Sequence, residues 1–248
     1  MRMRNLFLLA GVVLLSVSVV ALAADAPSKP TPTSQPAASQ PVAHPDCSAW
    51  EKLFADDLSN AIFSKGVWSN DKGELTATKD ECIWSKQQHE NFILDLEFKN
   101  AEAANSGVLI YCTDVRNWIP NAIEVQILDD YAAKWAKSPK NWFCGAVFGR
   151  QAPAKQAVKK AGEWNRMTIT CKGPSITVLL NGELVNECDL KQFTSAKKNP
   201  DGTDVLAFLG GPLAPRPTKG HIGLQGKHGG AAICFRNVRI AAITPEPQ

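Results

Sequence analysis

The chain has 248 residues, with 27 lysines and arginines against 24 aspartates and glutamates and a formal net charge of +3. So even a balance, with Lys155, Lys159, Lys160 and Lys172 scattered rather than striped, excludes a nucleic-acid-binding protein of the basic-patch kind. The seven cysteines form no CxxC or Cys/His cluster with zinc spacing, and their odd number leaves at least one thiol free or intermolecular.

In chain order, Arg2 and Arg4 precede an apolar run from Leu6 to Leu22, and Ala21-Leu22-Ala23 supplies the small residues signal peptidase requires. Residues 1–24 are therefore expected to be a signal peptide, giving a secreted or periplasmic protein with no membrane span once it is cleaved. The first cysteine, Cys47, stands too far from the apolar run to carry a bacterial lipid anchor. Residues 25–49 are dense in Pro, Ser, Thr, Gln and Ala, a composition that cannot bury a core and reads as a disordered spacer. Residues 50–243 remain as one domain of roughly 195 residues, large enough for a substantial core.

Within that domain strand signals dominate. Phe92 to Phe98 alternates apolar with partly polar residues, as a half-buried antiparallel strand does. Further strands are predicted at residues 73–78, 82–85, 106–112, 123–128 and 144–148, then at 165–171, 175–180, 183–188, 220–225 and 232–240. Asn181-Gly182 fits a two-residue hairpin, because both central positions of that turn need positive φ. Helical periodicity is nearly absent. About a dozen short strands in one domain read as two packed antiparallel sheets, an all-β jelly-roll sandwich. The proline-rich loop from Phe193 to Lys219 would cap one end of the sandwich or border a cleft.

The stretch Glu124-Val125-Gln126-Ile127-Leu128-Asp129 carries the strongest chemical signal. A strand's period of two puts Glu124 and Gln126 on one face and Val125 and Ile127 on the other. Asp129 joins the first face only if a bulge near Ile127-Leu128 inserts one residue. Glu124 is then a candidate catalytic base or metal ligand, or else a solvated surface carboxylate. Gln126 would grip a substrate hydroxyl or serve in a strand network, and Asp129 would act as an acid or cap a turn. His228, bracketed by glycines, can approach a ligand and titrates near neutrality. Trp118, Trp135 and Trp142 lie in loops around the carboxylate strand, where aromatic faces can stack on sugar rings. A divalent cation held by Glu124, Asp129 and His228 is a further option, with the metal unassigned.

Seven separated segments together resemble the 3-keto-disaccharide hydrolase family. They are Asn105-Ser106-Gly107, the Glu124–Asp129 strand, Gly145-Ala146-Val147-Phe148-Gly149, Ala161-Gly162-Glu163-Trp164-Asn165, Leu180-Asn181-Gly182, Gly220 to Gln225 and Phe235 to Ile240. The resemblance implies a concanavalin A-like jelly roll and an exported hydrolase whose partner is a carbohydrate already oxidised at C3. A ketone at C3 acidifies the C2 hydrogen, so a base can form an enolate and expel the glycosidic oxygen without a redox cofactor. The residues implied are Glu124, Asp129 and His228 for catalysis, with Gln126, Asn105, Tyr111, Gln225, Trp118 and Trp142 for substrate binding. The family pattern also implies an arginine where Tyr111-Cys112 stand, a place Tyr111 or Arg116 would have to fill. Retaining glucanases on the same fold carry a Glu-x-Asp-x-x-Glu strand, which Glu124, Gln126 and Asp129 match only in spacing. A non-catalytic, lectin-like carbohydrate-binding module is the other alternative, since fold does not fix function.

Overall fold

The computed structural model describes residues 42–244, so the expected signal peptide and residues 25–41 of the expected spacer lie outside the described residues. The strands in chain order are β1 Glu51–Lys52, β2 Ala61–Ile62, β3 Trp68–Asp71, β4 Glu74–Ala77, β5 Ile83–His89, β6 Phe92–Asn100 and β7 Asn105–Cys112. One helical turn, α1 Trp118–Asn121, precedes β8 Ile123–Leu128; β9 Trp164–Lys172, β10 Ser175–Leu180, β11 Glu183–Asp189, β12 Gly220–Leu224 and β13 Ile233–Ala242 follow.

Alternation explains how they assemble. On β6, Phe92, Leu94, Leu96 and Phe98 are at most 1% exposed, and on β8 Val125 and Ile127 are fully buried, so each strand turns one apolar row inward. One sheet runs β11-β10-β9-β6-β13-β4-β3 with β1 added beside β13; the other runs β2-β5-β12-β7-β8, and every pairing is antiparallel. The inward rows of both sheets meet in one core, which makes the molecule the jelly-roll sandwich its strand pattern predicts.

The hairpin between β10 and β11 turns at Asn181 (φ 53°) and Gly182 (φ 83°), the positive pair expected there. Residues 144–148 form no strand. Val147 makes an isolated bridge to Val125, and the amides of Gly145 and Phe148 donate to Gln126 and Glu124, covering the free edge of β8. On β7 an extra residue at Tyr111 (φ 54°) faces the step between His221 and Gly223 of β12, a bulge the sequence did not announce.

Described residues ahead of the expected boundary at residue 50 also bond to the domain. Val42 donates its N–H to the Gly182 carbonyl (2.7 Å), and the His44 ring accepts from the Gly182 N–H (2.9 Å) and meets the Thr168 hydroxyl at 2.7 Å. Arg166 donates to the Pro45 carbonyl (2.7 Å) and to the Asp95 carboxylate (3.0 Å), so residues 42–47 lie as a strap over the outer face of the larger sheet. All seven cysteines are unpaired. Among the described residues, no helix is long and apolar enough to cross a membrane.

Candidate active site

The outer face of the smaller sheet is recessed into a cavity of about 450 Å³. Its floor is built by register: β7 and β8 pair Gly107 with Gln126 and Leu109 with Glu124, so Asn105, Gly107 and Leu109 lie beside Gln126 and Glu124 on one surface. Gly107 makes this arrangement feasible, because a β-carbon there would collide with the Glu124 carboxylate. The α1 turn contributes Trp118, residues 142–150 contribute Trp142, Phe148 and Arg150, and the long loop contributes Phe208, Leu209 and Arg216. The loop from Phe193 to Lys219 thus borders a cleft.

Glu124 stands out electrostatically. Its carboxyl makes no hydrogen bond within the described residues, and burial, reinforced by the negative charge of Asp80, pushes its pKa up from 4.5 to about 8. Gln126, 1% exposed, donates through Nε2 to Asn105 Oδ1 at 2.7 Å, which leaves the Asn105 NH2 and the Gln126 carbonyl to serve a ligand. The Gln225 Oε1 and the Trp142 indole nitrogen are buried without partners at the cavity's edge. His228 bridges to the backbone of Asn105, and its Nδ1 meets the Asp80 carboxylate at 2.6 Å, which orients the ring, with Nε2 making no hydrogen bond among the described residues.

The fold brings together Glu124, Gln126, Asn105, Gln225, His228, Trp118 and Trp142 around this cavity. It does not bring Asp129 or Tyr111. β8 runs against β7 without a bulge, so Asp129 stays on the parity of Val125 and Ile127. Its oxygens accept from the N–H groups of Ala103 (2.8 Å) and Tyr131 (3.3 Å), tying the turn before β7 to the end of β8. Asp129 is a turn cap, and the retaining pair Glu124–Asp129 is not assembled. Tyr111 faces the core, donating its hydroxyl to the Gly173 carbonyl at 2.9 Å. Trp135 packs against the core and donates its indole N–H to the Ala103 carbonyl (3.2 Å).

The cation option fails on the same displacement, since Asp129 does not join Glu124 and His228. Among the described residues no group of three His, Cys, Asp or Glu side chains is placed to hold a metal ion. Arg116 is exposed and away from the cavity. The cations present are Arg150 and Arg216, neither of which sequence reasoning selected, and the same holds for Asp80. Arg150 directly follows the glycine-bounded segment 145–149, and that adjacency was the available signal. Asp80 meets His228 across 148 residues, so no local pattern pointed to it.

Residues 46–241 match the profile of the 3-keto-alpha-glucoside-1,2-lyase-like domain. A crystal structure of a candidate glycosyl hydrolase from Parabacteroides distasonis is 49% identical, with a TM-score of 0.77, and the match covers 78% of this chain and 99% of that one. Two further candidate glycosyl hydrolases from the same organism share 25% identity (TM-score 0.56, covering 79% and 84%) and 20% identity (TM-score 0.61, covering 76% and 91%), the latter speaking to the fold alone. A comparison with curated proteins found no match.

Proposed function

The chain belongs to the 3-keto-alpha-glucoside-1,2-lyase-like domain family, and from that membership we propose that it cleaves the glycosidic bond of 3-keto-glycosides, with Glu124 moving the proton at C2. The observation that carries this reading is the unpaired Glu124 carboxyl on the cavity floor, its pKa raised to about 8. A desolvated carboxylate of raised basicity is suited to a weakly acidic C–H beside a ketone. Glu124 takes the C2 proton, and the C–H electron pair forms a C2=C3 enolate with its charge on the ketone oxygen. The Asn105 NH2 and the His228 ring lie at the same cavity and supply donors for that charge or for the leaving oxygen. Collapse of the enolate restores the C3 ketone, forms C1=C2 and breaks the C1–O bond, and the leaving oxygen takes up the proton that Glu124 removed from C2. Addition of water at C1 completes a net hydrolysis. Trp118 and Trp142 offer faces for the sugar ring. The charged, apolar and small-residue pattern of residues 1–24 supports action outside the cytoplasm.

The test is incubation of the purified protein in D2O with a 3-keto-glucoside and with its unoxidised parent. The expected result is release from the keto form alone with deuterium entering at C2, and a loss of roughly a hundredfold or more in Glu124→Gln. Release from the unoxidised glucoside alone would overturn the proposal.

A further inference from the structure

The far wall of the cavity holds two guanidinium groups in an unusual state. Arg150 is 3% exposed; its NH2 nitrogen donates to the carbonyl of Gly211 (2.9 Å) and lies near those of Leu209 (3.4 Å) and Gly210 (3.5 Å). Its other terminal nitrogen is buried without a partner among the described residues. Arg216 donates to the carbonyls of Leu209 (2.7 Å) and Ala122 (3.2 Å). The two cations therefore converge on one carbonyl, that of Leu209, with no carboxylate between them.

On the opposite sheet the arrangement differs. Arg166 faces Asp95 and Arg236 faces Glu97, each guanidinium meeting a carboxylate within about 3 Å. Among the described residues, no acid plays that part around Arg150 and Arg216. Burial lowers the pKa of both, and the charge of Arg216 lowers that of Arg150 further, to about 10, so both remain cationic at neutral pH while repelling each other. Two like charges held together in a poorly solvated wall are stabilised when an anion joins them, and a planar guanidinium fork matches an oxyanion.

The cavity is polarised along its length. Glu124 and His228 sit with Asp80 over the β7–β8 floor, whereas Arg150 follows residues 145–149 and Arg216 belongs to the long loop, both reaching the Leu209 carbonyl, so the two groups line different walls of one cavity. Trp142 and Phe148, with ring centroids 5.2 Å apart, form an aromatic wall of the same cavity.

We propose that the Arg150–Arg216 wall is a subsite for an oxyanion, a carboxylate, sulfate or phosphate, carried by the aglycone of the substrate. This rests on the keto-glycoside reading for the sugar end and names the class of leaving group that the site selects. The anion completes the fork left by Arg150 and draws Arg216 away from the Leu209 carbonyl.

Binding, rather than turnover, tests it. Calorimetry of the intact protein with 4-carboxyphenyl glucoside and with its methyl ester compares an anion with a neutral group of the same shape, and both place a ring against the aromatic wall. The acid is expected to bind about tenfold to a hundredfold tighter, as charge-assisted hydrogen bonds give. That preference should shrink with added salt and fall to about twofold in Arg216→Gln, with Arg216→Lys keeping part of it. The circular dichroism spectrum and melting temperature of each variant establish that it is folded. Equal affinity for acid and ester, binding of neither, or a preference that survives Arg216→Gln would overturn the subsite. Turnover of the 3-keto forms is a separate readout, so failure of the lyase chemistry leaves the anion preference measurable.

Discussion

Replacing Glu124 with glutamine removes its carboxyl from the cavity floor while preserving its volume. In the folded protein this group has a pKa of about 8 against 4.5 for its ordinary value. The folded state thus holds a proton that the unfolded chain has released, over the whole interval between those values. Stability falls as pH rises wherever the folded state binds more protons, so the parent loses stability from about pH 4.5 to pH 8 and then levels off. At about 1.4 kcal/mol per pKa unit the loss due to Glu124 is about 5 kcal/mol. Glu124→Gln has no such proton to lose. Urea unfolding of both proteins at pH 5, 7 and 9 measures the effect. The two should be similar at pH 5, and the variant should be more stable by several kcal/mol at pH 9. His228, Asp80 and every other titrating group are common to both proteins, so they largely cancel in the difference. Parallel profiles, within about 1 kcal/mol at all three pH values, would refute the claim that Glu124 is held protonated by desolvation.

Three other predictions follow from the same geometry. Asp129→Ala should cost about 1–3 kcal/mol in urea unfolding by removing the buried carboxylate that accepts from the Ala103 and Tyr131 amides, while the activity per folded molecule stays near that of the parent; a selective loss of turnover would return Asp129 to catalysis. Gly107→Ala should leave the fold, read by circular dichroism, but displace the Glu124 carboxylate and cut turnover about tenfold or more. Burial, with a contribution from Arg166, holds the His44 pKa below 6.5, and the neutral ring accepts from the Gly182 amide. The strap's contribution to stability is therefore complete above pH 6.5 and lost as pH falls through the lowered pKa. Limited proteolysis should cut residues 42–48 faster in acid, and His44→Ala should be cut equally at both pH values.

Most of the fold could be read in advance from local pattern. The strands at residues 123–128 and 175–180 have the predicted bounds, and the Asn181-Gly182 turn has the predicted positive φ pair, because alternation and turn chemistry act over a few residues. Residues 144–148 show the limit of such reading. Their β-like composition reflects a ribbon bonded to β8, but the segment leaves the sheet too soon to be a strand. The strap was unreadable for a related reason. Its proline-rich composition argues for disorder, and the buried Asp95 and Thr168, with the half-exposed Arg166, on distant strands give His44 and Cys47 something to bond.

For the site, sequence alone determined that Glu124 and Gln126 share a face, since a side-chain period of two allows nothing else. It also identified the family to which the fold and comparisons assign the chain. Tertiary structure decided everything that depended on register and on distant segments. The unbulged pairing of β7 with β8 sent Asp129 to a turn, and the bulge at Tyr111 turned that ring into the core. Packing of the long loop against the edge of the smaller sheet brought Arg150 and Arg216 to one carbonyl, and closure of the sandwich set Asp80 against His228. Local sequence specifies which face a side chain takes. Which residues then meet across that face depends on loop closure over tens to hundreds of residues, and no local spacing encodes it.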